Sequence, residues 1–186
     1  MPDDPHYFIG FSVPQEYKEF LVKWQEALKP FVDYHKWVHG DDFHVTLRFL
    51  GAVKPKTLHQ LKRLLSTLKS APLELQMNGL NFFGKEEQPR VMYAEIERDQ
   101  EVLDFKRGVD ELLDSLGVEE EKRPYRPHIT LAKKWGKGKL HLSKEALENK
   151  LDDPKSFSFD VRHVNLYRVH PDREKKYEVI ESFDLK

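Results

Sequence analysis

The chain has 186 residues, 39% apolar and 12% aromatic, enough for one packed domain or two small lobes sharing a core. Charged residues make up 34%, yet the formal net charge is −1, which excludes a polybasic coat for nucleic acid or membrane, so any affinity for an anion has to be local. The absence of cysteine excludes disulfides, thiolate nucleophiles and Cys-ligated zinc or iron–sulfur sites, and it fits a reducing compartment.

The opening MPDDPHYFIGFSV carries acid where a secretory signal carries base. No window approaches the roughly 18 apolar residues of a spanning helix. A soluble, cytoplasmic protein with no membrane association is expected. Residues 7–13, YFIGFSV, read as a strand. Pro14 then suits a helix start, and Tyr17, Phe20, Leu21, Trp24, Ala27 and Leu28 form one apolar stripe that Pro30 ends. FHVTLRFLG at 43–51 alternates as a strand, with His44, Thr46 and Arg48 on one face and Val45, Leu47 and Phe49 on the other. Leu58, Leu61, Leu64, Leu65 and Leu68 mark a second helix, which Pro72 excludes from continuing. Strands come next over 73–83 and 90–97. Val102, Phe105, Val109, Leu112, Leu113 and Leu116 mark a third helix, stopped by Gly117. A short fourth helix starts with Ser143 as N-cap, and strands near 157–169 and 176–184 close the chain.

PHITL at 127–131 repeats FHVTL at 43–47, an offset of 84 residues from His44 to His128. The same shift lays strand 7–13 on 91–97, the helix near 56–69 on 140–153, and GLNFF at 79–83 on HVNLY at 163–167. This agreement predicts an α+β fold: a single bilobal domain over 1–186 made of duplicated β-α-β-α-β units, approximately 6–90 and 91–184. Largely antiparallel sheets should surround a central cleft, with helices outside.

A histidine accepts or donates a proton near neutral pH. Two facing each other across a cleft can do both in one turnover, one serving the nucleophile and the other the leaving group. Each threonine, roughly 6–7 Å along its strand on the same face, can donate to a non-bridging oxygen of a bound anion. The set suits in-line displacement at phosphorus. Local charge agrees: Lys122, Arg123, Arg126, Lys133, Lys134, Lys137 and Lys139 succeed one another with no acid between. Neither motif carries a second histidine or a carboxylate at metal-ligand spacing, and His39 beside Asp41 and Asp42 is the weak residual metal candidate. Trp37, Tyr125 and Trp135 lie near the motifs and could stack on a base or anchor loops.

HVTL and HITL, one per repeat, resemble the paired H-x-T-x motifs of the 2H phosphoesterases. Trp37, FHVTLRFLG and RPHITLAK resemble the bacterial RNA 2′,3′-cyclic phosphodiesterase branch, also called the 2′-5′ RNA ligase family, over nearly the whole chain. The resemblance implies a bilobal fold with the motifs lining a groove. It implies hydrolysis of 2′,3′-cyclic phosphates on RNA ends or small cyclic nucleotides to 2′-phosphomonoesters, with no metal or nucleotide cofactor. His44 would be the acid on the departing 3′ oxygen, His128 the base on water, and Thr46 and Thr130 the phosphate holders. The same site run backwards would join RNA ends through a 2′-5′ linkage. Relatives often carry arginine where this chain has Lys133, so Arg48, Arg126 and Lys133 are all candidate phosphate cations, with Tyr125 and Trp37 as candidate substrate contacts. A monomer is expected. The competing readings are a non-catalytic RNA-end or nucleotide-binding module and a metal-dependent hydrolase.

Overall fold

The computed structural model describes residues 4–186. Its elements are β1 (His6–Ser12), α1 (Gln15–Leu28), β2 (Tyr34–Trp37), β3 (His44–Ala52), α2 (Pro55–Leu65), β4 (Leu73–Lys85), β5 (Gln88–Ile96), α3 (Gln100–Asp114), β6 (His128–Trp135), α4 (Lys144–Glu148), β7 (Ser156–Val161), β8 (His163–Val169) and β9 (Tyr177–Asp184). They form two sheets, ordered β3-β1-β8-β9 and β2-β6-β5-β4-β7, and every pairing is antiparallel. This is the α+β class expected from the mixed patterning.

The helices form where the apolar stripes lie. Leu21, Trp24 and Leu28 of α1 are buried, and Tyr17 stacks on Phe157 of β7 at 4.5 Å, so α1 covers the second sheet. Val102, Phe105, Val109 and Leu113 of α3 are buried, and Phe105 meets Phe11 of β1 at 5.2 Å, so α3 covers the first. Each such side chain contributes about 1.5–3 kcal/mol by leaving water. The caps are local: Asp99 accepts from Val102 N at 2.9 Å, and Ser143 accepts from Ala146 N at 3.1 Å.

The lobes do not coincide with the sequence halves 6–90 and 91–184. β4, from the first half, pairs with β5, while β8, from the second, pairs with β1. The helix after β1 covers the sheet of β5, and the helix after β5 covers the sheet of β1. Each half therefore gives two strands and one helix to the other half's sheet: β2, β4 and α1 from the first, β8, β9 and α3 from the second. The segment 157–169, expected as one strand, is two: β7 pairs with β4 and β8 with β1, so the chain changes sheet at Arg162. β2 is an additional short edge strand that periodicity does not mark. The repeat is also one residue out of step, because Ser12 faces His44 while Glu95 faces His128, making the partner strands 83 apart and the histidines 84.

Candidate active site

His44 and His128 each open a strand, β3 and β6, and those strands lie against one another between the sheets. The His44 Nδ1 is 2.7 Å from Asp42 O, and the His128 Nδ1 is 2.7 Å from Arg126 O. A carbonyl only accepts, so both rings carry their proton on Nδ1 when neutral, which leaves each Nε2 as the working nitrogen. The Thr46 hydroxyl lies 2.8 Å from His44 Nε2 and donates to it in the neutral ring. Both rings are wedged among aromatics: His44 by Phe8 at 4.7 Å and Tyr177 at 4.9 Å, His128 by Phe83 and Tyr93, each at 5.0 Å. Burial holds the His44 pKa down at about 4 against the pull of the Asp42 carbonyl, and charge on His128 and Lys133 lowers it further. Burial likewise lowers His128, against the pull of the Arg126 carbonyl.

A matching β-bulge in the two strands sets which residues past each threonine face the cleft. On β3, Gly10 faces Thr46 and Ile9 faces Arg48, so Leu47 is the extra residue; on β6, Tyr93 faces Thr130 and Met92 faces Ala132, so Leu131 is extra. Beyond each bulge the alternation is inverted. Phe8 and Gly10 share a face of β1, so their partners Phe49 and Thr46 share one too. Val91 and Tyr93 likewise bring Lys133 onto the face of Thr130.

Arg48 is therefore not on the face of His44. It is 1% exposed, and its Nη1 donates to Asp110 at 2.8 Å, its Nε lies 3.4 Å from Glu121, and its Nη2 donates to Glu119 O. Lys106 joins the same cluster through Asp110 at 2.7 Å. Arg48 thus ties the 119–126 segment to β3, and the acids Glu119 and Glu121 fold beside it. Phe49, placed by simple alternation on the face of Val45 and Leu47, is instead 53% exposed.

The cleft holds a cavity of about 430 Å³ lined by Thr46, Phe49, Phe83, Tyr125, Arg126 and His128, with Arg90 and Arg123 also on its wall. Tyr125 donates its hydroxyl to Thr46 O at 2.8 Å. Lys133 lines a neighbouring cavity, and burial lowers its pKa. Trp37 edges that same space, and its ring packs against Tyr34 at 6.2 Å and beneath the Lys29 ammonium at 5.4 Å. Trp135 packs edge-on to Tyr34 at 5.0 Å. His39 is 3.9 Å from Asp41 while the Asp42 carboxylate turns inward, and among the described residues no group of three or more acids and histidines is placed to hold a metal.

Several participants carry little or no signal in the sequence. Asp42, 5% exposed, accepts from the backbone N–H of Lys176 at 2.8 Å and of Tyr177 at 3.3 Å, which seats Tyr177 on His44. Its position two residues before the histidine matches Arg126 before His128, so the repeat holds a signal for it that sequence reasoning missed. Tyr177, Phe83 and Arg90 come from strands remote in sequence, and no local pattern marks them. Gly10 reads as an ordinary strand residue, yet a Cβ there would sit 2.6 Å from Val45 O.

The family model for the 2′-5′ RNA ligase superfamily matches residues 13–173. The chain belongs to this superfamily. Among its relatives, the RNA 2′,3′-cyclic phosphodiesterase of Bacillus subtilis strain 168 is 31% identical over the full length of both chains. That of Geobacillus stearothermophilus is 34% identical over 97% of this chain, which spans 57% of that longer protein. Superfamily structures share the fold. Escherichia coli LigT, solved with 3′-AMP, superposes with a TM-score of 0.78 at 19% identity, covering 98% of this chain and 99% of its own. The protein TT0787 of Thermus thermophilus gives 0.74 at 25% identity, covering 97% of each.

Proposed function

We propose that the protein hydrolyses 2′,3′-cyclic phosphates at RNA ends to 2′-phosphomonoesters, with His44 and His128 as a general acid and base. The observation that carries this is the twin anchoring of the two imidazoles. Each donates Nδ1–H to the carbonyl two residues back, which leaves a pair of Nε2 atoms available beside one cleft. The relatives named RNA 2′,3′-cyclic phosphodiesterase supply the reaction class.

In this reading His128 Nε2 takes a proton from water as its oxygen bonds to phosphorus. The P–O3′ bond breaks, and the His44 imidazolium gives its Nε2 proton to the departing O3′. Thr46 and Thr130 donate to the non-bridging oxygens, and Lys133 and Arg126 balance their charge. The nucleoside fills the cavity beside Tyr125 and Phe83. Attack by a 5′-hydroxyl RNA end in place of water would give a 2′-5′ linkage. One bilobal unit suffices, since each half of one chain supplies one histidine, so the protein works as a monomer. No helix is long and apolar enough to cross a membrane among the described residues, and we place the activity in the cytoplasm.

The test is incubation of a 2′,3′-cyclic-ended oligonucleotide with the protein in EDTA, then identification of the hydroxyl that keeps the phosphate. A 2′-phosphate is expected, and His44→Ala and His128→Ala should each lose roughly 10²–10⁴-fold in rate. A variant that keeps most of its activity would refute the two-histidine mechanism.

A further inference from the structure

Beside the cleft lies a second cavity of about 260 Å³, lined by Lys36, Lys133 and Lys176 together with Tyr177, Asp42 and Glu174. Its charges are arranged against the protein's own stability. Lys36 on β2 is directly across from Lys133 on β6, and like charges so placed repel. Lys134, the next residue, holds the Lys36 pKa below the usual lysine range, with Lys176 and Lys133 adding to the effect. Burial lowers Lys133, and Lys176 and Lys134 lower it further.

The acids nearby do not answer this charge. The Asp42 carboxylate is taken up by two backbone N–H groups, at 2.8 and 3.3 Å, and eases Lys133 only weakly. Glu174 is exposed at the rim, 3.9 Å from His39. Lys175 is held by Asp41 at 2.5 Å and Lys139 by Glu87 at 3.1 Å, but among the described residues no carboxylate pairs with Lys36, Lys133, Lys134 or Lys176. Among the described residues the Lys176 ammonium reaches only the carbonyl of Pro171, at 3.0 Å.

The cavity is continuous with the catalytic machinery. Its Tyr177 is the ring seated on His44 at 4.9 Å, and its Lys133 shares the face of Thr130. Its volume lies below the roughly 300–1,000 Å³ of a site that encloses a whole small molecule, which suits a group rather than a second nucleoside.

We propose that this lysine pocket is a second phosphate subsite. It takes the phosphodiester on the 5′ oxygen of the terminal nucleoside, so that the enzyme selects the end of an RNA chain over a lone cyclic nucleotide. The proposal rests on the cyclic phosphodiesterase reading and deepens it.

The test compares three substrates: a nucleoside 2′,3′-cyclic phosphate, the same compound with a 5′-phosphate, and a trinucleotide ending in the cyclic phosphate. In the wild-type protein, kcat/KM should rise about tenfold or more from the first to the third, with the 5′-phosphate recovering the larger part. In the double variant Lys36→Gln, Lys176→Gln, the gain should shrink to about twofold, while the lone cyclic nucleotide stays within twofold of wild type. The salt dependence of log kcat/KM on the trinucleotide should flatten by about 0.7, one single-strand phosphate contact. If wild type turns over none of the three, the function and the subsite both fall. If it turns over all three equally, or if the double variant lowers all three alike, the subsite alone is overturned. If the 5′-phosphate recovers nothing, the gain comes from the neighbouring base, and the phosphate assignment is overturned.

Discussion

The Tyr125 hydroxyl, in the second half of the chain, donates to the main-chain oxygen of Thr46, in the first, at 2.8 Å. This bond ties the segment leading into β6 to β3 at the level of Thr46. Burial pushes the Tyr125 pKa up, so the phenol stays a donor throughout the working range. Tyr125→Phe leaves the Thr46 carbonyl without this partner and should cost about 1–2 kcal/mol in denaturant unfolding. The rate on a cyclic phosphate should fall as Thr46 loosens. Unchanged stability would show that the bond contributes nothing.

The lowered histidine pKa values set the pH dependence. Catalysis needs His44 charged and His128 neutral, yet burial holds His44 at about 4 in the empty site. The kcat/KM profile, which reports the free enzyme, should be bell-shaped with its maximum below about pH 6.5. A bound anion favours the imidazolium, so the kcat optimum should lie at higher pH. A kcat/KM maximum above pH 8, or no bell at all, would contradict the assignment.

The same shift bears on stability. In the unfolded chain His44 protonates near pH 6.5, and in the folded protein only near 4. Its neutral burial therefore stabilises the fold above pH 6.5, and up to about 3 kcal/mol is lost as pH falls toward 4. His44→Gln should lose that component of the acid sensitivity. Parallel curves for the two proteins in urea titrations between pH 7 and 4 would exclude the effect.

Arg48 anchors the segment that carries Tyr125 and Arg126. Arg48→Met should destabilise by about 3 kcal/mol, since Asp110 and Glu121 lose a buried partner and keep only Lys106. Its kinetic signature should be a raised KM with a smaller change in kcat, because Arg48 has no place in the cleft. An equal loss in kcat and kcat/KM would return it to the reacting centre.

Gly10 permits the close approach of β1 to the bulge in β3. Gly10→Ala places a Cβ 2.6 Å from Val45 O, a backbone atom that cannot swing aside. The strand has to shift, at a cost of about 1–3 kcal/mol, and it carries His44 and Thr46 with it. Activity should fall by at least tenfold at a temperature where circular dichroism shows the variant still folded. Wild-type turnover would show that the two strands have slack.

The amino-acid sequence by itself determined the α+β class, the helix faces, the third helix with its stop at Gly117 and the correspondence of His44 with His128, because each is written in local periodicity or in the internal repeat. Tertiary structure alone decided which neighbours join them. The bulges at Leu47 and Leu131 are one-residue mismatches between paired strands, invisible in either strand alone. They bury Arg48, release Phe49 and bring Lys133 onto the face of Thr130. The exchange of β4 and β8 between sheets, and the seating of Tyr177 by Asp42, join segments more than a hundred residues apart or from opposite halves. Such pairings are settled by which surfaces bury best together, a property of the whole chain that no local pattern carries.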